Sequence, residues 1–397
     1  MLERLSQSVV LGGKEKMHFA IVQYRRFAFL LMAIALLLFI QPINASAEDE
    51  DGGAVYVLGN QSSGNTVIVF HRSTDGALIR VEEVATHGLG SGGANDPLGS
   101  QGALVLGEGG HQLFAVNAGS NELSVLSVTE DGVRFTDKIS SGGARPVSVT
   151  THGDLVYVLN AGGTPNITGF VVGRSGKLRA IPNSTRPLAG GATAAPAEVQ
   201  FSPDGGLLLV TEKGTNLIDV FAVNDDGRIF RHTSQSSNNA TPFGFSFGRG
   251  RDVVVSEAAG GSAGASTLSS YRVVDEDADS DDLRTVSKAV PDTQTAACWV
   301  VITRSGRIAF ASNTGSGTVS SFSVGGGGRL SLKAGVAADL GAGSGAIDMA
   351  LSHDSRFLFV LSSAFGTVNG FRVRGDQLTP ITTLGGLPLS IQGIAAQ

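Results

Sequence analysis

The sequence predicts an all-β protein: a seven-bladed β-propeller of four-stranded antiparallel blades, closed when the C-terminal strand completes the first blade. Three observations predict it. Short β-branched runs alternate with turn dipeptides along the chain from residue 53 onward. One such run, ending in a polar or small residue, recurs seven times with starts about 50 residues apart. No window beyond the leader shows a long 3.6-residue apolar period with helix caps.

The leader comes first. Residues 27–40, FAFLLMAIALLLFI, are apolar, follow Lys14, Lys16, Arg25 and Arg26, and precede Ala45-Ser46-Ala47. A basic region, a short apolar core and an A-x-A site predict a signal peptide over 1–47, cleaved near Ala47. The core is short for a membrane span. The expected product is a secreted or periplasmic protein with one propeller domain, 48–397, and no membrane attachment after cleavage. Removing five basic and two acidic leader residues takes the net charge from −6 to −9. An acidic chain without a basic cluster argues against nucleic acid as a partner. Cys298 is the single cysteine, so no disulfide forms within the chain and the core must hold the fold. The 55 glycines among 397 residues fall between apolar runs rather than in one tract.

The recurring run is a second strand: 55–58, 113–117, 155–160, 207–211, 252–256, 308–313 and 357–362. A Gly- or Asn-containing loop follows each, then a third strand, as at 66–70, 217–223 and 318–324. Turns at Asp75-Gly76, Asp131-Gly132, Ser175-Gly176 and Asp226-Gly227 lead to a fourth strand, as at 78–84 or 330–336. Residues 196–229 are the clearest copy, with a Ser-Pro-Asp-Gly turn between first and second strands. The chain enters the repeat at a second strand and ends with an inner-strand-like piece, SIQGIA, at 390–395. Pairing these two ends closes the ring and removes the exposed edges of an open sheet.

Alternate connections emerge on opposite faces. The short Ser-Pro-Asp-Gly and Asp-Gly turns share one face. The longer loops with polar variety share the other, and any site is expected there, at the channel mouth.

With the repeat laid out, six stretches stand out: FSPDG (201–205), LLVTEKGTNLIDVF (208–221), TPFGF (241–245), QTAACWV (294–300), SNTGSGTVSSF (312–322) and LGGLPLSIQGIAA (384–396). On these the chain resembles the seven-bladed lactonase-type propellers, the family of the propeller 6-phosphogluconolactonases and fungal carboxymuconate cyclases. The resemblance implies the propeller fold and a lactone-hydrolysing or lactonising activity. Many members carry Pro-His-x-His before the fourth inner strand. Here those histidine positions hold Ala195 and Ala197, and the following loop reads Glu212-Lys213-Gly214.

Glu212 is the first candidate acid, because it ends an apolar strand where burial can raise a carboxyl toward acid or base duty. The plainer reading is a structural ion pair with Lys213 or a nearby arginine. Glu257 holds the matching place one blade on. Arg145 and Arg186, ahead of the third and fourth inner strands, are candidates for binding a carboxylate or an oxyanion. His152 and His353 fall in turns on the opposite face and are set aside, leaving His87 as the remaining histidine candidate. Cys298 reads as a core thiol. The acidic run 275–282 lacks the glycine and late glutamate of a calcium loop and reads as a solvated turn. No His/Cys cluster with zinc spacing occurs, so no metal or cofactor is expected. Two functions follow. One is an exported lactonase-like hydrolase or cyclase acting as a monomer on a small lactone or carboxylate. The other is a non-catalytic binding propeller for an extracytoplasmic glycan, peptide or wall component.

Overall fold

The computed structural model describes residues 52–277 and 280–397, the side chains of 275–282 excepted. The leader and the acidic side chains of the 275–282 run lie outside the described residues. Asp51–Gln397 forms one compact unit.

Seven antiparallel sheets follow one another around the ring, as the repeat predicts. From blade one to blade seven the inner strands are Ile394–Ala396, Leu104–Leu106, Ala144–His152, Pro196–Phe201, Pro242–Phe247, Ala297–Ile302 and Ala346–Leu351. The second strands are Gly53–Leu58, Gln112–Asn117, Leu155–Gly162, Leu207–Glu212, Asp252–Glu257, Ile308–Asn313 and Phe357–Ser362. Ring closure is as expected, in the register Val57↔Ile394, Tyr56↔Ala395 and Val55↔Ala396. The closing strand is shorter than the sequence suggests. Residues 390–393 stay outside it and pin the seam through Ser390 Oγ, which donates to the Gly59 carbonyl at 2.7 Å.

Strand composition follows position in the ring. All six residues of Leu207–Glu212 are buried, because a second strand has neighbouring blades against both faces. The outer strand of the same blade, Ile229–Ser236, alternates buried or partly buried with exposed residues. Adjacent blades are also tied by polar contacts at the turn face. Tyr157 of blade three donates to the Gly227 carbonyl in blade four at 2.5 Å. In the Ser-Pro-Asp-Gly turn, Asp204 accepts from Ser202 Oγ at 2.6 Å and pairs with Arg251 of blade five at 3.3 Å.

Entry to the inner strands repeats a bend. Arg145, Ala195, Thr241, Ala296 and Gly345 all have positive φ, and each lies immediately before or within the first residues of its inner strand. A register shift follows in each of these blades. Asparagine side chains from the preceding blade hold two of the bends. Asn121 Oδ1 accepts from the Arg145 amide, and Asn216 Oδ1 accepts from the Thr241 amide, both at 2.7 Å.

Blade two departs from the pattern. Its inner strand is three residues long, like the closing strand of blade one, and the chain ahead of it makes a long detour from blade one.

Candidate functional site

In blades two to seven the second strand carries a repeated polar position at or near its end. Asn117, Asn160 and Asn313 occupy it in blades two, three and six. Asn117 Nδ2 donates to Ser124 Oγ at 2.8 Å, and Asn313 Nδ2 donates to Ser320 Oγ at 2.8 Å. Asn160 Nδ2 donates to the Ser141 carbonyl at 3.1 Å. The same position in blades four and five holds Glu212 and Glu257.

Both glutamates are fully buried and use both oxygens within their own blade. Glu257 Oε1 accepts from Ser237 Oγ at 2.8 Å and the Asn239 amide at 3.0 Å. Its Oε2 accepts from Thr267 Oγ1 at 2.6 Å and Ser269 Oγ at 2.9 Å. Glu212 Oε1 accepts from the Gly190 amide at 3.0 Å, and its Oε2 accepts from Thr215 Oγ1. Burial, followed by a hydrogen bond with Asp219, raises the Glu212 carboxyl above its usual range. Asp219 in turn holds the Ala189 amide at 3.2 Å and lies 3.1 Å from His232 Nε2. Glu212 and Glu257 share no partner; each ties its own loop to its own third strand.

Arg186 is at a blade seam rather than near Arg145. Its guanidinium donates to the carbonyls of Asn183 and Thr185 at 2.7 and 3.0 Å, and to the Ile229 carbonyl of blade four's outer strand at 3.2 Å. His152 pairs with Glu108 of blade two at 3.1 Å on the turn face. His87 packs its ring edge-on against Phe135 with centroids 4.4 Å apart. Cys298 is buried, and burial pushes its thiol up to about 12, which makes it a core residue.

What the sequence reading missed is the segment 96–102, the end of the detour between blades one and two. It fills the space that the inner strands enclose and bonds to blade after blade. Ser100 Oγ donates to the Val147 carbonyl in blade three at 2.8 Å. The Gln101 amide donates to the Ala197 carbonyl in blade four at 3.1 Å. The Gln101 side chain donates to the carbonyls of Phe245 in blade five and Val300 in blade six at 3.3 and 2.9 Å, and accepts from the Val300 amide at 2.9 Å. Trp299 Nε1 donates to the Ser100 carbonyl at 2.9 Å. Near the closing strand, Gln392 accepts from the Leu98 amide at 3.2 Å and donates to the Ser100 carbonyl at 2.7 Å.

Charged groups gather on this plug. Asp96 Oδ1 accepts from the Gly99 amide and from Gln392 Nε2, each at 2.9 Å. Arg145 Nη2 donates to the Pro97 carbonyl at 3.2 Å. Lys213 Nζ donates to the Gly99 carbonyl and lies 4.5 Å from the centre of the Phe243 ring. Burial lifts the Asp96 carboxyl above its ordinary value, against the pull of Gln392 and Lys213, and burial lowers the Lys213 amine. Gly99, at φ +65°, keeps a gap between them. A Cβ there would sit 3.0 Å from Lys213 Nζ and 3.9 Å from Asp96 Oδ2. Of the residues singled out in the sequence as site candidates, only Arg145 reaches this cluster.

Two further acids lie deeper in the ring. Glu198 of blade four accepts from the Phe245 amide at 2.6 Å, and burial raises its carboxyl far above the normal range. Asp348 of blade seven accepts from its neighbouring Met349 amide at 3.0 Å, and burial pushes its carboxyl up to about 8. Among the described residues, no group of three His, Cys, Asp or Glu side chains could hold a metal ion.

Comparison with known proteins agrees with this architecture. The profile of the family described as "Lactonase, 7-bladed beta-propeller" matches residues 46–186 and 174–268. No curated protein matches the chain. Among solved structures, a Lactobacillus plantarum protein aligns with TM-score 0.68 at 16% identity, covering 87% of this chain and 99% of its own. A candidate 6-phosphogluconolactonase from Bacteroides fragilis aligns with TM-score 0.65 at 18% identity, covering 89% and 100%. The periplasmic gluconolactonase of Pseudomonas aeruginosa aligns with TM-score 0.61 at 15% identity, covering 85% and 98%. At these identities the structural likeness speaks for the fold. Fold and plug together define a closed seven-bladed propeller in which Lys213, Arg145 and Asp96 gather on the segment 96–99. The family match spans more than half of the chain, and the protein belongs to the seven-bladed lactonase propeller family.

Proposed function

We propose that the protein is a lactonase-type enzyme that opens a small lactone to its hydroxycarboxylate over the plug, at the channel mouth. The observation that carries this is the convergence of Lys213 and Arg145 on the segment that bears Asp96. Opening a lactone needs a base for water, a cation for the carbonyl oxygen and a cation for the product carboxylate. Asp96 Oδ2 takes a proton from water as the water oxygen attacks the lactone carbonyl carbon. A carboxyl held above its ordinary range is the better base for this step. Lys213 and Arg145 stabilise the resulting oxyanion. The C–O bond to the ring oxygen then breaks, and that oxygen leaves with the proton held by Asp96.

Glu212 has a positioning role here: it fixes the loop that presents Lys213. Glu257 and Arg186 brace their own seams. The leader sequence supports export, and the family supports a lactone as the substrate class.

The test is turnover of a panel of four-, five- and six-membered-ring lactones by wild type and by Asp96→Asn. The reading expects hydrolysis of at least one lactone by wild type and loss of about 100-fold or more in kcat for the variant. No turnover across the panel, or an Asp96→Asn enzyme with full activity, overturns it. Tight binding of a ligand without turnover would favour a non-catalytic binding propeller instead.

A further inference from the structure

A second charged cleft lies on the turn face, between blades five and six, away from the plug. Its volume is about 550 Å³, and its walls include Arg249, Ser305, Arg307, Ser323 and the turn Gly325–Gly327. The guanidinium groups of Arg249 and Arg307 have no hydrogen-bond or ionic partner among the described residues. Asp252, the one carboxylate lining the cleft, is already neutralised: Arg272 Nε and Nη2 reach its Oδ1 at 2.8 and 2.7 Å. Arg272 also stands next to the glycine turn, 3.6 Å from where a Gly327 Cβ would lie.

The turn supplies the second half of the site. Gly327 is left-handed at φ 76°, ψ 20° and Gly328 follows at φ 82°, a tight glycine turn with no side chain to screen its amides from an anion. The Gly325 and Gly328 amides are taken, by the Arg329 and Gly325 carbonyls at 2.8 and 3.1 Å. The amides of Gly326 and Gly327 between them donate to no group among the described residues. The sequence GGGG at 325–328 permits this shape, since a side chain at Gly327 would meet a left-handed backbone.

We propose that this cleft binds a tetrahedral dianion, the phosphate or sulfate group of a small ligand. Two free guanidinium forks and two free amides match a doubly charged oxyanion with several acceptor oxygens better than a carboxylate. The site is independent of the plug.

Isothermal titration of the full chain at constant ionic strength tests it, with inorganic phosphate, inorganic sulfate, phenyl phosphate and acetate as probes. Phosphate and sulfate should bind about tenfold or more tighter than acetate. Arg249→Ala and Arg307→Ala should each weaken phosphate about tenfold, and the double variant should abolish binding. Gly327→Ala should weaken it with both arginines intact, whereas Lys213→Ala should leave it unchanged. Phenyl phosphate binding tighter than inorganic phosphate supports an ester ligand; the reverse supports the free ion. Phosphate binding no better than acetate, or binding that survives loss of both arginines, overturns the proposal.

Discussion

Gln392 Nε2 donates to Asp96 Oδ1 at 2.9 Å across 296 positions of sequence, joining the segment just ahead of the closing strand to the plug. The same amide group accepts from Leu98 and donates to the Ser100 carbonyl, so one side chain serves three plug residues. Closure of the ring and placement of Asp96 are therefore one structural event.

The first prediction follows from this joint. Gln392→Ala leaves buried plug groups without partners, each worth about 1–3 kcal/mol. Urea denaturation should show a loss of about 2–4 kcal/mol. Ending the chain at Leu387 removes the closing strand as well, and should abolish a single cooperative melt by calorimetry. A truncated chain that melts like the full-length protein would show that closure does not hold the ring.

Gly99 is the second point of test. Gly99→Ala places a methyl group in the gap between Lys213 and Asp96 and adds strain at φ +65°. Lactone turnover should fall about tenfold or more, while the melting temperature shifts by only a few degrees. An unchanged kcat/KM would mean that substrate does not use this gap.

The pH dependence of stability should carry the mark of Asp348. Its folded-state carboxyl titrates at about 8, raised from an ordinary 3.8, so the folded state holds a proton that the unfolded chain has released. The unfolded state binds fewer protons in this window, and stability falls as pH rises from about 4 to 8. Glu198, raised by the same burial, acts in the same direction. Asp348→Asn removes that titration. Its melting temperature should decline less than that of wild type between pH 5 and 8, as followed by circular dichroism. Parallel declines would contradict the assignment.

Much of the fold was legible in the sequence. The second strands alternate with turn dipeptides at a steady period, and both ends of the chain fit one blade. The site was less legible, for two physical reasons. Glu212 reads as a free acid at a strand end. Only the three-dimensional repeat shows it in the place of Asn117, Asn160 and Asn313, saturated by its own blade. The plug gave no periodic signal at all: Asp96, Ser100 and Gln101 belong to a Gly-rich detour whose partners lie on distant blades. One trace was present. The Gly244 of TPFGF is required because a Cβ there would sit 2.1 Å from Gln101 Oε1, but without coordinates that glycine reads as an ordinary strand irregularity. The bend at Arg145 is similar, since a positive φ at a non-glycine residue leaves no mark in the sequence.

Glu212 itself gives a prediction about stability. Glu212→Ala strips partners from the Gly190 amide and Thr215 and leaves Asp219 beside an empty space. A loss of about 2–4 kcal/mol is expected by urea titration. Glu212→Gln keeps the shape and one acceptor, and should lose less. Equal losses for the two variants would mean that size, not hydrogen bonding, sets the contribution.

The central claim is that chemistry occurs over the plug and not at the buried second-strand acids. The most direct measurement compares kcat/KM for Lys213→Ala and Glu212→Gln on the best lactone of the panel, each as folded protein. The account predicts a loss of about 100-fold or more for Lys213→Ala and less than about fivefold for Glu212→Gln. The opposite ranking, with Glu212→Gln inactive and Lys213→Ala near wild type, would contradict it.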